Sequence, residues 1–590
     1  MNLIKVVLLL LLGLSLFNCK FDPKPSATET DFKRTSNEVI ASHIGEPDNL
    51  NPLVTTNAYS NYLLQNVFMQ LQDIDPTTLT FIPILVKSRP TITQTIEEGK
   101  AIATQYAFEL RNEAVWDNGS PVTAYDYVFT LKAALNPKVG ATSLSSLLES
   151  IKNIEIDSLN PKRFTVTVEG TYILNEEIVS ASFLVMPEYH YDPNGLLKDI
   201  DVNELLDPEK AEAMANSNPK LQQFADEFLQ PFFAREQGGV VGCGPYRFRE
   251  WVTGQKIVLE KKDNWWGKVL ENEDEAFEAR VDAIIYQPVA DHTAASTLLK
   301  DEQIDVRAEI APPAYNLLKN DSIVNKIYNL RAPIQYTYYF WYINTKRPKL
   351  NDKRVRRALA HVINVEQIIE TVYDGALTRI AGPILPSMLG YNEQLKPVPF
   401  DIARAKALLQ EAGWTDTNSD GTVDKIINGK REEMVLELLT VAGIETQQQA
   451  ALLMQQDALK AGIKFEIIAR DQKAGAEDQS NRNFDLANRG TAIPTPNLYD
   501  PKQSWHTESD NPAGFNRSGF GNAATDALIE EIRTTLDEQK RAALISQLQE
   551  IIYDEQPLIF LWTAPQFLAI HRRFEAETYS LRPGYFPGSF

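Results

Sequence analysis

The sequence predicts an α/β fold spread over more than one domain. Three observations carry this expectation. Strand-like alternating or apolar runs are interleaved with helical ones along the chain. At 590 residues it is long enough for roughly two to four domains around a large buried core. Its 43% hydrophobic and 23% charged residues are ordinary for a globular protein and exclude wholesale disorder.

The elements follow in order. Tyr106, Phe108 and Leu110 alternate with Ala107, Glu109 and Arg111, the period of a half-buried strand. Asp117, Asn118, Gly119, Ser120 and Pro121 then turn the chain. Thr123 stands three residues before Asp126, the spacing of a capping box, and Val128, Leu131 and Leu135 continue a helical face. Residues 246–261 read as a hairpin, with Tyr246, Phe248 and Glu250 alternating, a turn near Gly254, and Ile257 and Leu259 returning. Asp401 caps a helix whose apolar face is Ile402, Ala405, Leu408, Leu409 and Ala412, and Gly413 ends it. Two late helices are expected over 528–536 and 541–552, the second stopped by Pro557. Residues 558–562 are continuously apolar, as a strand buried on both faces would be.

Charge and cysteine content narrow the function. The chain carries 58 basic and 79 acidic residues, a formal charge of −21, and no dense basic run. Nucleic acid is therefore not an expected partner, since a duplex-binding surface needs clustered cations. The acidity reads as a solvated, self-repelling surface. Two cysteines, Cys19 and Cys243, rule out a disulfide scaffold. Cys243 sits in an apolar turn with no neighbouring base and reads as buried and inert. Six histidines form no metal-ligand pattern.

The chain begins with an address. One cation, Lys5, precedes an apolar run of about a dozen residues, against the roughly 20 that a membrane-spanning helix needs. The run ends at Leu16, Phe17, Asn18 and Cys19. This resembles the lipobox of bacterial lipoproteins, although Phe17 and Asn18 are bulkier than is usual there. Residues 1–19 are expected to be a signal peptide, with Cys19 the lipidation site, and a plain cleaved signal is the alternative. Residues 20–36, with Pro23 and Pro25, read as a tether. Lys20, rather than Asp, after the cysteine points to the outer membrane of a Gram-negative cell.

Six motifs in order then resemble the oligopeptide- and dipeptide-binding proteins of ABC importers, the family 5 extracellular solute-binding proteins. The first is Glu46-Pro47-Asp48-Asn49-Leu50-Asn51-Pro52. The second is Phe108-Glu109-Leu110-Arg111 with Trp116 to Asp126, and the third Gly242-Cys243-Gly244-Pro245-Tyr246, closed by Asn264-Trp265-Trp266-Gly267. After Asn344 come Asp352-Lys353-Arg354-Val355-Arg356-Arg357-Ala358-Leu359 and Ala405 to Trp414. Each is weak alone; their order over some 500 residues, from about 38 to 557, is specific.

That resemblance implies a three-domain, two-lobed fold of the periplasmic binding protein type II kind, with a ligand cleft and a hinge. By motif order, domain I takes 37–55, 237–330 and 556–590, domain II takes 56–236, and domain III takes 331–555. It also implies a monomeric, non-enzymatic, cofactor-free protein on the periplasmic side of the cell envelope. Its partners would be a peptide or peptide-like solute, the permease subunits of an ABC importer and, through its lipid anchor, a membrane. A binding protein of this fold for a non-peptide solute, or one serving signalling or chaperoning, remains an alternative. A hydrolase of envelope polymers is a remote one, since the chain has no G-x-S-x-G elbow and no H-E-x-x-H motif.

Two segments would face the cleft by this resemblance. One contains Thr55, Thr56, Asn57 and Tyr59; the other follows Phe484 and Asp485 and contains Asn488, Arg489, Gly490, Thr491 and Ala492. In relatives such segments pair with an extended peptide like an added strand; ordinary surface loops are the alternative. Arg489 could offer a guanidinium fork to a carboxylate or form an outward salt bridge. Peptide binders of the family place an Asp for the ligand's ammonium where this chain has Pro494, which carries no charge and no N–H. The expectation is that a free amino terminus is not strictly required, with Asp500 as the candidate substitute. Finally, Asp416, Asn418, Asp420 and Asp424 resemble the start of a calcium loop, but position 12 is Ile427 rather than Glu, so a purely structural turn competes with a metal site.

Overall fold

The computed structural model describes residues 32–271, 275–493, 495–512 and 514–590. Cys19 with its leader, and Pro494, lie outside the described residues. Three sheets organise the chain from Asn37 onward. The first has seven strands in the order Tyr328–Arg331, Leu568–His571, Val306–Arg307, Glu38–His43, Ala283–Pro288, Lys256–Lys261 and Tyr246–Val252. The second has six, in the order Thr378–Arg379, Leu558–Pro565, Ile334–Ile343, Leu486–Ala492, Val435–Val441 and Lys464–Arg470. A four-stranded sheet runs Thr91–Glu97, Lys100–Glu109, Arg163–Glu169, Ile151–Ile156, and one hydrophobic core joins it to the first sheet. Helices cover both faces of the second sheet, so its central strands are buried on each side.

Local chemistry explains the elements that the sequence announces. In the strand Lys100–Glu109, Tyr106 and Phe108 point into the core. The helix Ala124–Leu135 opens on the expected box, with the Thr123 N–H donating to the Asp126 carboxylate at 2.8 Å. Tyr246–Val252 and Lys256–Lys261 form the expected hairpin. Asp401 caps the helix Ile402–Glu411 by accepting from the Arg404 N–H at 2.8 Å. The two late helices, Ala523–Thr534 and Glu538–Glu555, start earlier than the apolar periodicity suggests. Their first turns are held by polar caps, Asn522 and Asp537, rather than by packing.

The glycines of the Gly242-Cys243-Gly244 motif serve close approach. A Cβ at Gly242 would come within 2.3 Å of the Val67 carbonyl oxygen, and one at Gly244 within 2.7 Å of that of Asn66. The motif is thereby pressed against the end of the helix Ala58–Val67, where the Gly244 N–H donates to the Val67 oxygen at 2.8 Å. Between them the Cys243 carbonyl accepts from the indoles of Trp265 and Trp266, each at 2.9 Å. Burial pushes the Cys243 thiol up to about 12, which leaves it protonated and unreactive, as expected.

The chain crosses between the first and second sheets twice, each time in two residues: after Arg331 and before Ile334, and after Pro565 and before Leu568. The crossings lie side by side, the Gln566 N–H donating to the Pro333 oxygen at 2.9 Å. The motif order places a domain boundary at 555/556. The strand Leu558–Pro565 pairs with Ile334–Ile343 in the second sheet, so the return to the first sheet comes about ten residues later than the motif order suggested. The apolar run 558–562 said that the strand was buried, not in which sheet.

Candidate functional site

The end of the strand Glu38–His43 builds one wall. His43 is 3% exposed and ringed by tyrosines: its centroid lies 5.7 Å from that of Tyr59, 5.6 Å from Tyr62 and 5.6 Å from Tyr286. Its Nε2 shares a 2.8 Å hydrogen bond with the Tyr585 hydroxyl. Burial, helped by the nearby Arg307 charge, pushes the imidazole down to about 3, so it is neutral at any physiological pH. Arg307 is 1% exposed; its Nη1 donates to Ser42 Oγ and the Val289 carbonyl, and its buried Nη2 has no hydrogen-bond partner among the described residues. Tyr59, a residue expected at the cleft, donates its hydroxyl to Glu309 at 3.1 Å. Its neighbours are committed to the backbone and to Asp48. Thr55 Oγ1 donates to Asp48 at 2.6 Å, and Asn57 caps the helix Ala58–Val67 by accepting from the Tyr59 N–H at 2.8 Å. Thr56 is exposed.

Behind this wall opens a cavity of about 380 Å³. Tyr62, Tyr286 and Tyr585 are shared between the wall and the cavity; the loop from Asp73 to Thr77 and the chain end from Pro583 to Ser589 close it.

The second candidate segment lies in the strand Leu486–Ala492, antiparallel to Ile334–Ile343 from Leu486↔Ile343 to Ala492↔Thr337. On its other side Val435–Val441 pairs with Leu486 and Ala487 alone. Beyond Ala487 that edge has no ladder partner among the described residues, although Gln479 Nε2 reaches the Asn488 oxygen at 3.1 Å. Gly490 is there because Tyr339 lies across it: a Cβ would stand 2.7 Å from the ring. Arg489 is exposed and forms no ion pair among the described residues.

The aromatic chamber and the strand edge of the second sheet are each suited to contact with a solute, and comparison with known proteins identifies the family. The family model for bacterial extracellular solute-binding proteins, family 5 Middle, matches residues 87–512, well over half of the chain. This chain belongs to that family. The oligopeptide-binding protein AppA of Bacillus subtilis is 24% identical over 554 residues, covering 92% of this chain and 89% of its own. Among solved structures, AppA from Bacillus subtilis in complex with a nonapeptide aligns with a TM-score of 0.62 at 21% identity, over 94% and 96% of the two chains. NikA from Brucella suis in complex with Fe(III)-EDTA aligns at 0.70 and 19% identity, over 94% and 99%. These likenesses show the type II binding-protein fold.

In this solute-binding protein the remaining candidates are engaged elsewhere. Asp500 spends its carboxylate on a contact between segments far apart in sequence. It accepts from the Tyr172 hydroxyl at 2.6 Å, Arg533 Nε at 3.0 Å and the Lys502 N–H at 2.8 Å. Arg533 also stacks on the Tyr172 ring, 4.8 Å from its centroid, and its carbonyl accepts from the Ile173 N–H at 2.9 Å. Nearby, Asn497 Nδ2 reaches the Leu79 carbonyl at 3.4 Å, and Glu177 faces Thr495. Burial lifts Glu177 to about 7. These contacts form a clasp from the 56–236 region onto the helices and loops around the second sheet.

The Asp416–Asp424 loop satisfies itself. Asp416 accepts from the Gly421 N–H at 2.9 Å, Asp420 from the Thr422 N–H and the Asn418 amide, and Asp424 from the Thr417 N–H and hydroxyl with Arg431 at 3.2 Å. Among the described residues no group of three or more His, Cys, Asp or Glu is arranged to hold a metal ion.

Sequence reasoning missed His43, Arg307, Glu309, Tyr585 and the clasp. His43 and Tyr585 are 542 residues apart, and no local pattern marks such a pair.

Proposed function

We propose that this protein captures a peptide or peptide-like solute on the outer side of the cytoplasmic membrane and delivers it to an ABC importer. It would be held to a membrane by acyl chains on Cys19. The observation that carries the reading is the unpaired edge of Asn488–Ala492 in a fold whose relatives include the oligopeptide-binding protein AppA. A free edge gives backbone hydrogen bonds to any extended peptide irrespective of side chain, which suits broad uptake. Domain I would comprise the first sheet, domain II the intervening 56–236, and domain III the second sheet through Pro565. The two crossings near Pro333 and Gln566 would be the hinge, which needs only a few residues to absorb its rotation.

The reading is tested by a native mass spectrum of protein purified from its own host. A co-purified peptide or peptide-like mass supports it; a stoichiometric sugar or lipid would replace the ligand class. The anchor is tested apart. Cys19→Ser should release the protein from membranes, because each buried acyl CH₂ contributes about 0.8 kcal/mol. Continued membrane fractionation with fatty-acid labelling of that variant would contradict it.

A further inference from the structure

The geometry points to a cation-bearing, partly aromatic or apolar group of the solute as the occupant of the 380 Å³ cavity. This rests on the solute-capture reading and names the chemistry of one end of the solute.

The walls are rings with their hydroxyls turned away. Tyr246 donates to the Val281 carbonyl at 3.1 Å, Tyr286 to the Tyr62 carbonyl at 3.0 Å, and Tyr585 is bound to His43. These three therefore offer aromatic surface, whose faces carry negative electrostatic potential, rather than free hydroxyls. The amide of Asn66, also in the lining, is directed at the Tyr62 carbonyl at 2.8 Å. Among the described residues no Lys, Arg or His lines the cavity, whereas Asp73, Asp75 and Glu278 do. Asp75 accepts from the Thr77 and Thr78 N–H groups through Oδ1, and Glu278 accepts from Arg280 through Oε1, so each retains a second oxygen.

The balance of the pocket is thus apolar ring surface plus acceptors. A cation gains from both, since it is attracted to ring faces and to carboxylates within the same partly desolvated space. An anion finds no basic side chain among the described lining residues to receive it, since Arg280 outside the lining is already paired with Glu278 at 2.7 Å. This also gives a physical alternative to reading an ammonium beside Pro494: positive charge on the solute is met by the Asp73–Asp75 loop and Glu278 instead.

The experiment compares three probes of one shape class against the full-length mature protein by titration calorimetry: benzyltrimethylammonium, benzyl alcohol and benzoate. The cation should bind at least tenfold more tightly than the alcohol, and benzoate weakest. Glu278→Gln and Asp75→Asn should each remove most of that advantage while leaving benzyl alcohol unchanged. Asp75 also caps its own loop, so Glu278→Gln is the variant that keeps the test independent of folding. Benzoate binding as well as the cation, no binding by any probe, or a cation affinity untouched by both variants would each overturn the inference. Uptake by solute capture is judged separately. A co-purified solute that carries no cation yet closes the protein leaves that reading standing and defeats this one.

Discussion

At the scale of single residues, the clasp and the strand edge make distinct demands. Asp500 accepts from Arg533 and the Lys502 N–H on its own side and from Tyr172 across the contact. A hydrogen bond to a charged group contributes about 1.5–3 kcal/mol. Tyr172→Phe keeps the ring under Arg533 and removes the hydrogen bonds of the hydroxyl, so it should shift the closed–open balance of the solute-free protein by about tenfold or more toward open. Distance measurements between spin labels on the two sheets would read this; an unchanged distribution would mean that the clasp has no energetic role. At Gly490 a methyl group has no room beside Tyr339. Gly490→Ala should cost about 1–3 kcal/mol, as other overpacking changes do, visible as a lowered Tm. An unchanged Tm in that variant would show that the strand gives way more easily than its packing suggests. The absence of an acid at Pro494 has its own consequence: a peptide and its N-acetylated form should bind within a few-fold of one another. Loss of binding on acetylation, reproduced by Asp500→Asn, would mean that the clasp opens to let Asp500 read the ammonium.

At the scale of elements, legibility in the sequence followed the range of the interaction. The capping box at Thr123 and Asp126, the hairpin at Gly254 and the cap at Asp401 are settled within a few residues, and each is found where the local pattern puts it. The strand Leu558–Pro565 was legible as buried, but its sheet was not, because identical apolar runs satisfy either sheet. The strand edge at Asn488–Ala492 was legible through the Phe484-Asp485 motif ahead of it, whereas its free side depends on where Val435–Val441 stops pairing. The tyrosine ring around His43 and the clasp join residues hundreds of positions apart, and nothing in one sequence marks them. The clasp also carries a pH dependence. In this structure burial lifts Glu177 from 4.5 to about 7. An open form that wets this carboxyl returns it toward 4.5. Between those values the closed form holds a proton that the open form releases, so closure is favoured at the acid end and weakens as pH rises through the window. The shift corresponds to at most about 3 kcal/mol. The solute-free protein should therefore be more open at about pH 8 than at about pH 5, and Glu177→Gln should abolish the difference. Equal pH responses in the two proteins would remove Glu177 from the mechanism.

At the scale of the whole molecule, the proposed hinge at the two adjacent two-residue crossings would let the two sheets rotate with little local strain, while the Tyr172–Asp500 clasp would resist their separation. In the proposed reading a solute held between the Asn488–Ala492 edge and the tyrosine wall would touch both bodies. It binds their closed arrangement better and shifts the population toward it, by no more than its difference in affinity for the two states. The most direct test is small-angle scattering of the protein stripped of co-purified solute, measured alone and again after the same solute is returned at saturation. The account predicts a larger radius of gyration for the stripped protein, above all at the alkaline end of the Glu177 window, and a return to the compact value with solute. An identical radius in both samples, with binding confirmed by calorimetry, would contradict capture by closure of two lobes.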